Sequence, residues 1–329
     1  MAPPVLTQLA CGGGLARARA REAAAALALA LLGCSEAPPA AGTTVASAIP
    51  TATAATGPPK ASRPACAPAC LGIERCDAAS RRCLPSCPAG EIYVPATGPA
   101  GFTMGAGLKH DDVPHKVVLT RPYCLDATEV TAGAYKECVD AGKCEPPRLW
   151  GRWSTYPNEP EHPVNKVSWR HALAYCEFRG KTLPTEAQWE WAATGGDGRK
   201  WAWGNEPPDC ARTDFTAGPL PSPGGDAGCH GGGPSKVGSH PSGAKLWPAG
   251  AIHDLSGNVW EWCLDQYAPY PEAEQTDPLV REPNHLVYVI RGGGWNRSAR
   301  GILVHYRAGA AVGYQVPGLG FRCARNAGG

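Results

Sequence analysis

The stretch HDLSGNVWEW, residues 253–262, constrains the fold more than any other, because it joins a carboxylate, two turn-forming residues and two indoles within ten positions. Glycine reaches positive φ freely and asparagine tolerates it, so the Ser-Gly-Asn step predicts a tight turn. Val259, Trp260 and Trp262 then alternate as in a half-buried strand. The stretch therefore predicts a turn that leads into a tryptophan-anchored strand.

A turn of this kind points successive carbonyl oxygens inward. Asp254 would add a charged oxygen to the carbonyls of Leu255, Gly257 and Val259. Calcium is a hard cation that takes oxygen ligands, so these four residues are a candidate calcium site. Spacing alone leaves two interpretations open, a calcium site or a turn without metal, and the turn without metal is the simpler.

Composition favours an ordered, loop-rich domain. Eleven tryptophans against four phenylalanines, with 41 glycines and 34 prolines, indicate indoles that anchor irregular backbone. The formal net charge is only +2, and 18% of residues are charged. Because there is no basic excess, a nucleic-acid partner is not expected.

The N-terminal region has the pattern of an export signal. Arg17, Arg19 and Arg21 precede a short apolar run at residues 23–32, which is too short to span a bilayer. The run ends in Leu-Leu-Gly-Cys, which is similar to a bacterial lipobox. We therefore expect a signal peptide at residues 1–33, acylation of Cys34, and a membrane-anchored lipoprotein of the bacterial cell envelope, periplasmic or at the cell surface. An ordinary signal peptide in which Cys34 is incidental is the alternative.

Two further segments precede the main domain, which we place at residues 91–329. Residues 34–65 are almost entirely Ala, Pro, Thr, Gly and Ser, which predicts a disordered tether. Residues 66–90 form a small cysteine-rich segment, in which disulfides are expected after export and zinc is the alternative. Its cysteines are Cys66, Cys70, Cys76, Cys83 and Cys87.

The main domain begins with strand-like sequence at residues 91–105 and 116–130. Thr131 and Ser168 are predicted N-caps of helices at residues 132–141 and 169–178, and Thr185 with Gln188 forms a capping box before a helix at 186–193. Residues 195–250 are dense in glycine and proline, which predicts long loops.

Proximity along the chain suggests two disulfides in this domain, and a third is expected to join it to the cysteine-rich segment. Cys138 and Cys144 flank the end of the first helix. Cys210 is expected to pair with Cys229, and Cys87 with Cys124, which would join the cysteine-rich segment to the domain.

Five motifs in order resemble the formylglycine-generating enzyme, or sulfatase-modifying factor, family. They are KTLPTEAQWEWAATGG (181–196), WAWGN (201–205), GNVWEW (257–262), RGGGW (291–295) and GLGFRCAR (318–325). The resemblance covers residues 92–325, and five motifs in family order make a chance match very unlikely. It implies an α+β domain with a C-type-lectin-like core and little regular secondary structure.

The same resemblance assigns residues. It implies that Asp254, Leu255, Gly257 and Val259 ligate calcium, which reverses the preference that spacing alone gave. It also implies a disulfide between Cys176 and Cys323. Cys263 then remains as the free thiol. A second family calcium site is not expected, because its asparagine is replaced near Ala211.

The copper-binding cysteines of the family are absent from the segment in which the resemblance places them. The family oxidises a substrate cysteine to formylglycine with oxygen, and two cysteines that follow an RGGS-type motif bind one copper ion. Here residues 291–311 contain no cysteine, Gly294 replaces the serine, and Arg297 and Ile302 or Leu303 stand where the thiolates are expected. Soft thiolates suit Cu(I), so copper is not expected.

Two hypotheses follow from this loss. The first is a catalytically inactive binding module that keeps the groove of the family, with Trp260, Trp295, Arg297 and Arg300 as groove candidates. Its ligand would be an exported peptide, a glycan or an envelope protein. The second is an oxidoreductase that acts on a protein or a small thiol with other residues.

Overall fold

The computed structural model describes residues 74–77, 82–149, 151–218 and 228–327. The predicted signal peptide, Cys34 and the tether lie outside the described residues, as do Cys66 and Cys70. Within these ranges, no helix has the length and apolar character needed to cross a membrane.

The secondary structure is a set of short elements joined by long loops. The helices are α1 (Ala132–Asp140), α2 (Trp169–Phe178) and α3 (Glu186–Thr194). The strands are β1 (Glu74–Asp77), β2 (Arg82–Pro85), β3 (Glu91–Val94), β4 (Phe102–Met104), β5 (His115–Val118), β6 (Tyr123–Asp126), β7 (Lys245–Trp247), β8 (Gly250–Ile252), β9 (Trp260–Gln266), β10 (Gln275–Thr276), β11 (Val287–Arg291), β12 (Arg307–Ala311), β13 (Leu319–Gly320) and β14 (Ala324–Asn326). Two short 3-10 turns cover Pro241–Gly243 and Ala299–Ile302.

The helices begin where their capping residues predict. The side chains of Thr131, Ser168 and Thr185 each accept a hydrogen bond from a backbone N–H in the first turn. Gln188 completes the predicted capping box at α3, and Gly195 ends that helix at a φ of 65°. The three helices are thus set by local sequence.

The beginning and the end of the domain meet in one sheet. β6 pairs antiparallel with both β3 and β14, so that Ile92 and Ala324 lie on either side of Leu125. A four-stranded sheet has the order β12-β11-β9-β13, and a third sheet has the order β10-β5-β4. Because β3 opens the domain and β14 closes it, pairing with a common neighbour fixes the two ends together.

β9 is the strand that HDLSGNVWEW leads into, and it corrects one prediction. Every residue of β9 is buried, so it is not the half-buried strand that alternation predicted. Trp260, Trp262 and Leu264 face one hydrophobic core, with residues of α1 and α2. Cys263 faces a second core, with residues of α3. Polar residues of β9 are tolerated on that side because they are bonded, as Glu261 is to Arg322 and to the indole of Trp189.

The structure contains the four disulfides expected from the sequence in this part of the chain. They are Cys87–Cys124, Cys138–Cys144, Cys176–Cys323 and Cys210–Cys229. Cys263 is free and buried. In the cysteine-rich segment, β1 and β2 pair antiparallel and place Cys76 opposite Cys83.

Removal of the long-range disulfide should cost more stability than removal of a local one. Cys176 and Cys323 are separated by 147 positions, whereas Cys138 and Cys144 are separated by 6. The chain-entropy model gives about 5 kcal/mol for the first loop and about 2 kcal/mol for the second. Melting of a C176A/C323A variant should therefore occur at a lower temperature than melting of the matched C138A/C144A variant. An equal or larger fall in the melting temperature of the C138A/C144A variant would contradict this account.

Candidate functional site

The turn before β9 has the predicted backbone. Gly257 has a φ of 103° and Asn258 a φ of 57°. A Cβ at Gly257 would lie 2.2 Å from Oγ1 of Thr213 and 2.5 Å from the carbonyl oxygen of Asp214, so only glycine fits there. The N–H of Gly257 donates to the carbonyl of Gly292, which ties the turn to the RGGGW motif.

Two buried carboxylates lie at this turn. Asp254 is 6% exposed, and its Oδ2 accepts a hydrogen bond from the N–H of Gly238 at 2.6 Å. Glu129 is 2% exposed, and burial and then the charge of Asp254 raise its pKa well above the usual range. The Nδ2 of Asn258 donates to one oxygen of Glu129, and the other oxygen has no partner among the described residues. The turn therefore brings together two buried carboxyl groups, of which Glu129 resists ionisation.

The oxygens at this turn are suited to a hard cation. The carbonyls of Leu255, Gly257 and Val259 accept no hydrogen bond from the described residues. The described ranges contain no group of three or more His, Cys, Asp or Glu side chains arranged for a metal ion. A calcium ion here would therefore depend on backbone oxygens together with Asp254. Sequence reasoning missed Glu129, because nothing in its local sequence sets it apart.

A groove of about 310 Å³ lies beside the start of β9. We call it the cationic groove and define it by Lys109, Trp260, Arg297, Arg300 and Tyr306. The guanidinium of Arg297 lies 5.8 Å from the centroid of Trp260, and Nζ of Lys109 lies 4.3 Å from that of Tyr306. Arg297 and Arg300 are exposed and form no ion pair with any described residue. The lining has three positive charges and no carboxylate.

The positions expected for the copper thiolates do not converge. Arg297 lines the cationic groove, whereas Ile302 is fully buried in a small core with Trp201 and Phe215. Leu303 lines a neighbouring cavity. The one free cysteine in the described part of the chain, Cys263, is fully buried, and burial raises the pKa of its thiol well above the ordinary value. None of the described residues places a thiol in the groove.

Three of the four groove candidates come together. Trp260, Arg297 and Arg300 line the groove, whereas Trp295 does not. Trp295 is 2% exposed and packs edge-on against Trp153 with ring centroids 5.1 Å apart. The indole N–H of Trp260 is buried and has no hydrogen-bond partner in the part of the chain that the structure describes.

A buried ionic network holds the segment that follows the RGGGW motif. Glu190 on α3 is fully buried, pairs with Arg291, and accepts hydrogen bonds from the N–H of Gly105 at 2.8 Å and from Nδ1 of His305 at 3.0 Å. Burial by itself would raise the pKa of Glu190, but Arg291 and His305 lower it to about 2. Glu190 is therefore ionised at ordinary pH.

A second buried pair fixes the other end of the same segment. Arg307 on β12 donates from Nε and Nη2 to the two oxygens of Glu186 on α3, both at 2.8 Å. This bidentate geometry is the strongest arrangement of an arginine with a carboxylate. Residues 291–307, which carry Arg297 and Arg300, are consequently clamped to α3 at both ends.

The loop-rich α+β fold and this site define a protein of the sulfatase-modifying-factor class. The model of the sulfatase-modifying factor enzyme 1-like domain matches residues 85–327, and the chain belongs to that family. The formylglycine-generating enzyme of Streptomyces coelicolor is 36% identical over 185 residues, which cover 54% of this chain and 57% of that protein. The inactive C-alpha-formylglycine-generating enzyme 2 of Bos taurus is 39% identical over 178 residues, which cover 51% and 52%. The chain thus spans little more than half the length of these relatives.

Solved structures confirm the expected fold class. PvdO from Pseudomonas aeruginosa superimposes with a TM-score of 0.54 at 22% identity and covers 72% of this chain and 94% of that one. Treponema denticola variable protein 1 gives a TM-score of 0.53 at 22% identity and covers 71% and 94%. At this identity the similarity shows the fold alone.

The ion pairs of Glu190 predict loss of stability in acid. The pKa of Glu190 is about 2 in the folded protein and lies near 4.5 without these contacts. Ionised Glu190 contributes about 3 kcal/mol to the free energy of unfolding. This contribution is present above pH 4.5 and is lost as the pH falls towards 2. Melting temperatures measured from pH 7 to pH 3 at constant ionic strength should fall less steeply for Glu190→Gln than for the wild type. Glu272→Gln, at an exposed position, is the control, and parallel curves for wild type and Glu190→Gln would refute the assignment.

Proposed function

We propose that this protein is a catalytically inactive binding module of the bacterial cell envelope, anchored through an acylated Cys34, and that its cationic groove binds an acidic group of its ligand. The observation that carries the proposal is the groove itself. Lys109, Arg297 and Arg300 lie together without a carboxylate, and Arg297 stands at one of the two positions that the family resemblance implies for the copper thiolates.

The chemistry of the groove argues against the family's reaction. Cu(I) prefers soft sulfur ligands, and a guanidinium is a permanent positive charge that repels a metal cation. The related Bos taurus protein is named as inactive, which supports the view that the domain is used without the activity. The Streptomyces coelicolor protein, which is named as an enzyme, matches a similar part of this chain. The family's activity therefore has to be assayed directly.

The same groove is suited to an anion. Arginine side chains bind carboxylates and phosphates through charge-assisted hydrogen bonds, which are stronger than bonds between neutral groups. Arg297 and Arg300 have no ion-pair partner among the described residues that a ligand would need to displace.

Binding of citrate, a compact carboxylate, tests the groove. Tryptophan fluorescence should change on titration, because Trp260 lines the site. Arg297→Gln and Arg300→Gln should each weaken citrate binding by about tenfold or more, since a charge-assisted bond contributes about 1.5–3 kcal/mol. Arg281→Gln removes an exposed arginine outside the groove and should leave the affinity unchanged. Equal affinities for all four proteins would contradict the proposed site.

The oxidoreductase alternative is tested on the same preparation. The protein is incubated with copper, oxygen and a cysteine-containing sulfatase peptide, and the peptide mass is followed. The Streptomyces coelicolor enzyme serves as the positive control. We expect no aldehyde product, and conversion above the buffer rate would overturn the inactive assignment.

We further infer that calcium binds the turn at Asp254. The buried carboxylate of Asp254, the unpartnered oxygen of Glu129, and the carbonyls of Leu255, Gly257 and Val259, which accept no hydrogen bond from the described residues, support this inference. Calcium at about 100 times its Kd should stabilise the protein by about 2.7 kcal/mol. Chelation should lower the melting temperature of the wild type, and Asp254→Asn should reduce this difference. A wild-type melting temperature that is the same with calcium and with chelator would exclude a structural ion, and magnesium is the control for a non-specific charge effect.

A further inference from the structure

A second, larger cavity lies beside the cationic groove. Its volume is about 780 Å³, within the range of roughly 300–1,000 Å³ that is usual for ligand pockets. We call it the histidine cavity and define it by Leu108, Lys200, Trp201, Arg300, Leu303 and His305. Arg300 lines both sites, and Leu108 and Lys109 are neighbours that line one site each. One ligand can therefore reach both sites past Arg300.

His305 is held in a fixed orientation on the wall of this cavity. Its Nδ1 lies 3.0 Å from Oε1 of Glu190, which is buried, ionised and therefore an acceptor only. The proton of the neutral imidazole is accordingly on Nδ1. Its Nε2 has no partner among the described residues and carries a lone pair in the neutral ring. The histidine cavity thus presents an unpartnered ring nitrogen, an acceptor in the neutral ring and a donor in the charged ring, which a hydroxyl group on the ligand would satisfy in either state.

The rest of the histidine cavity favours the same kind of ligand. The hydroxyl of Thr103 lines it and can accept or donate hydrogen bonds, Lys200 and Arg300 can donate them, and Asp197 already accepts from Arg199. Leu108, Trp201 and Leu303 supply apolar surface beside these groups. A complementary ligand part therefore has several hydroxyl groups, which both donate and accept, on a body that also has apolar faces.

The two sites have complementary requirements that one class of ligand meets. The cationic groove selects acidic groups, whereas the histidine cavity selects hydroxyl groups. A sugar acid carries both on one ring or on adjoining rings. An acidic peptide supplies the carboxylates but offers chiefly acceptors from its side chains.

We propose that the cationic groove and the histidine cavity together bind an acidic oligosaccharide. Its carboxylate lies at Arg297 and Arg300, and an adjoining sugar ring lies against His305. This rests on the proposed anion-binding function of the groove and specifies the ligand class.

The experiment compares three hexameric probes by isothermal titration at neutral pH and physiological salt. They are hexagalacturonate, the neutral sugar maltohexaose, and a hexaglutamate peptide of the same charge as the first. We expect hexagalacturonate to bind at least tenfold more tightly than either of the others. Hexaglutamate binding as tight as that of hexagalacturonate would overturn the saccharide assignment in favour of an acidic peptide.

Two variants test the histidine cavity separately from the groove. His305→Gln keeps an N–H donor for Glu190 but removes Nε2, and it should weaken hexagalacturonate about tenfold while citrate binding stays within twofold of the wild type. Leu303→Trp fills the cavity without removing a partner of Glu190. It should likewise weaken hexagalacturonate binding and leave citrate binding nearly unchanged. Arg281→Gln is the control for both.

Normal hexagalacturonate binding by Leu303→Trp would overturn the proposal, even where His305→Gln fails to fold. Citrate binding that still depends on Arg297 would in that case leave the proposed function standing. If citrate did not bind to the wild-type protein, the proposed function itself would be refuted.

Discussion

Three fully buried arginine–glutamate pairs organise this molecule. Arg291 pairs with Glu190, Arg307 with Glu186 and Arg322 with Glu261. The first two bind residues of α3 that are one helical turn apart, so β11 and β12 are fixed to the same helix face. The third binds β9 to the C-terminal segment. Breaking a buried pair leaves an uncompensated charge at a cost of about 3–5 kcal/mol, so these pairs enforce one arrangement of residues 291–307.

The indoles perform a similar task for the loops. Trp169, Trp189 and Trp262 donate to a backbone carbonyl or to Glu261, and thus join segments that share no secondary structure. This agrees with the composition, which predicted indoles that anchor irregular backbone. Trp260 and Trp295 differ, because their buried N–H groups have no partner within the described ranges. Of these two, Trp260 lines the groove, whereas Trp295 packs against Trp153.

Local physics made much of the fold predictable. Thr131, Ser168 and Thr185 cap helices through bonds within three residues, and such signals can be read directly from the sequence. The burial of both faces of β9 could not be read in this way, because it depends on helices from distant parts of the chain. The partners of Glu129, Glu190 and His305 were hidden for the same reason. Arg297 and Arg300 were identified from motif order, but their lack of partners is a property of the folded structure.

The two positions at which the family resemblance implies copper thiolates have different surroundings in this structure. Arg297 is exposed in the groove, whereas Ile302 is fully buried against Trp201 and Phe215. Cysteines placed at these two positions in this backbone would put one thiol in the groove and the other in an apolar core, where burial disfavours the thiolate that a metal requires. Leu303 would not solve the problem, because it lines the histidine cavity beyond Arg300. The ionic network therefore preserves the position of residues 291–307, while the side chains on that segment now form a surface suited to anions.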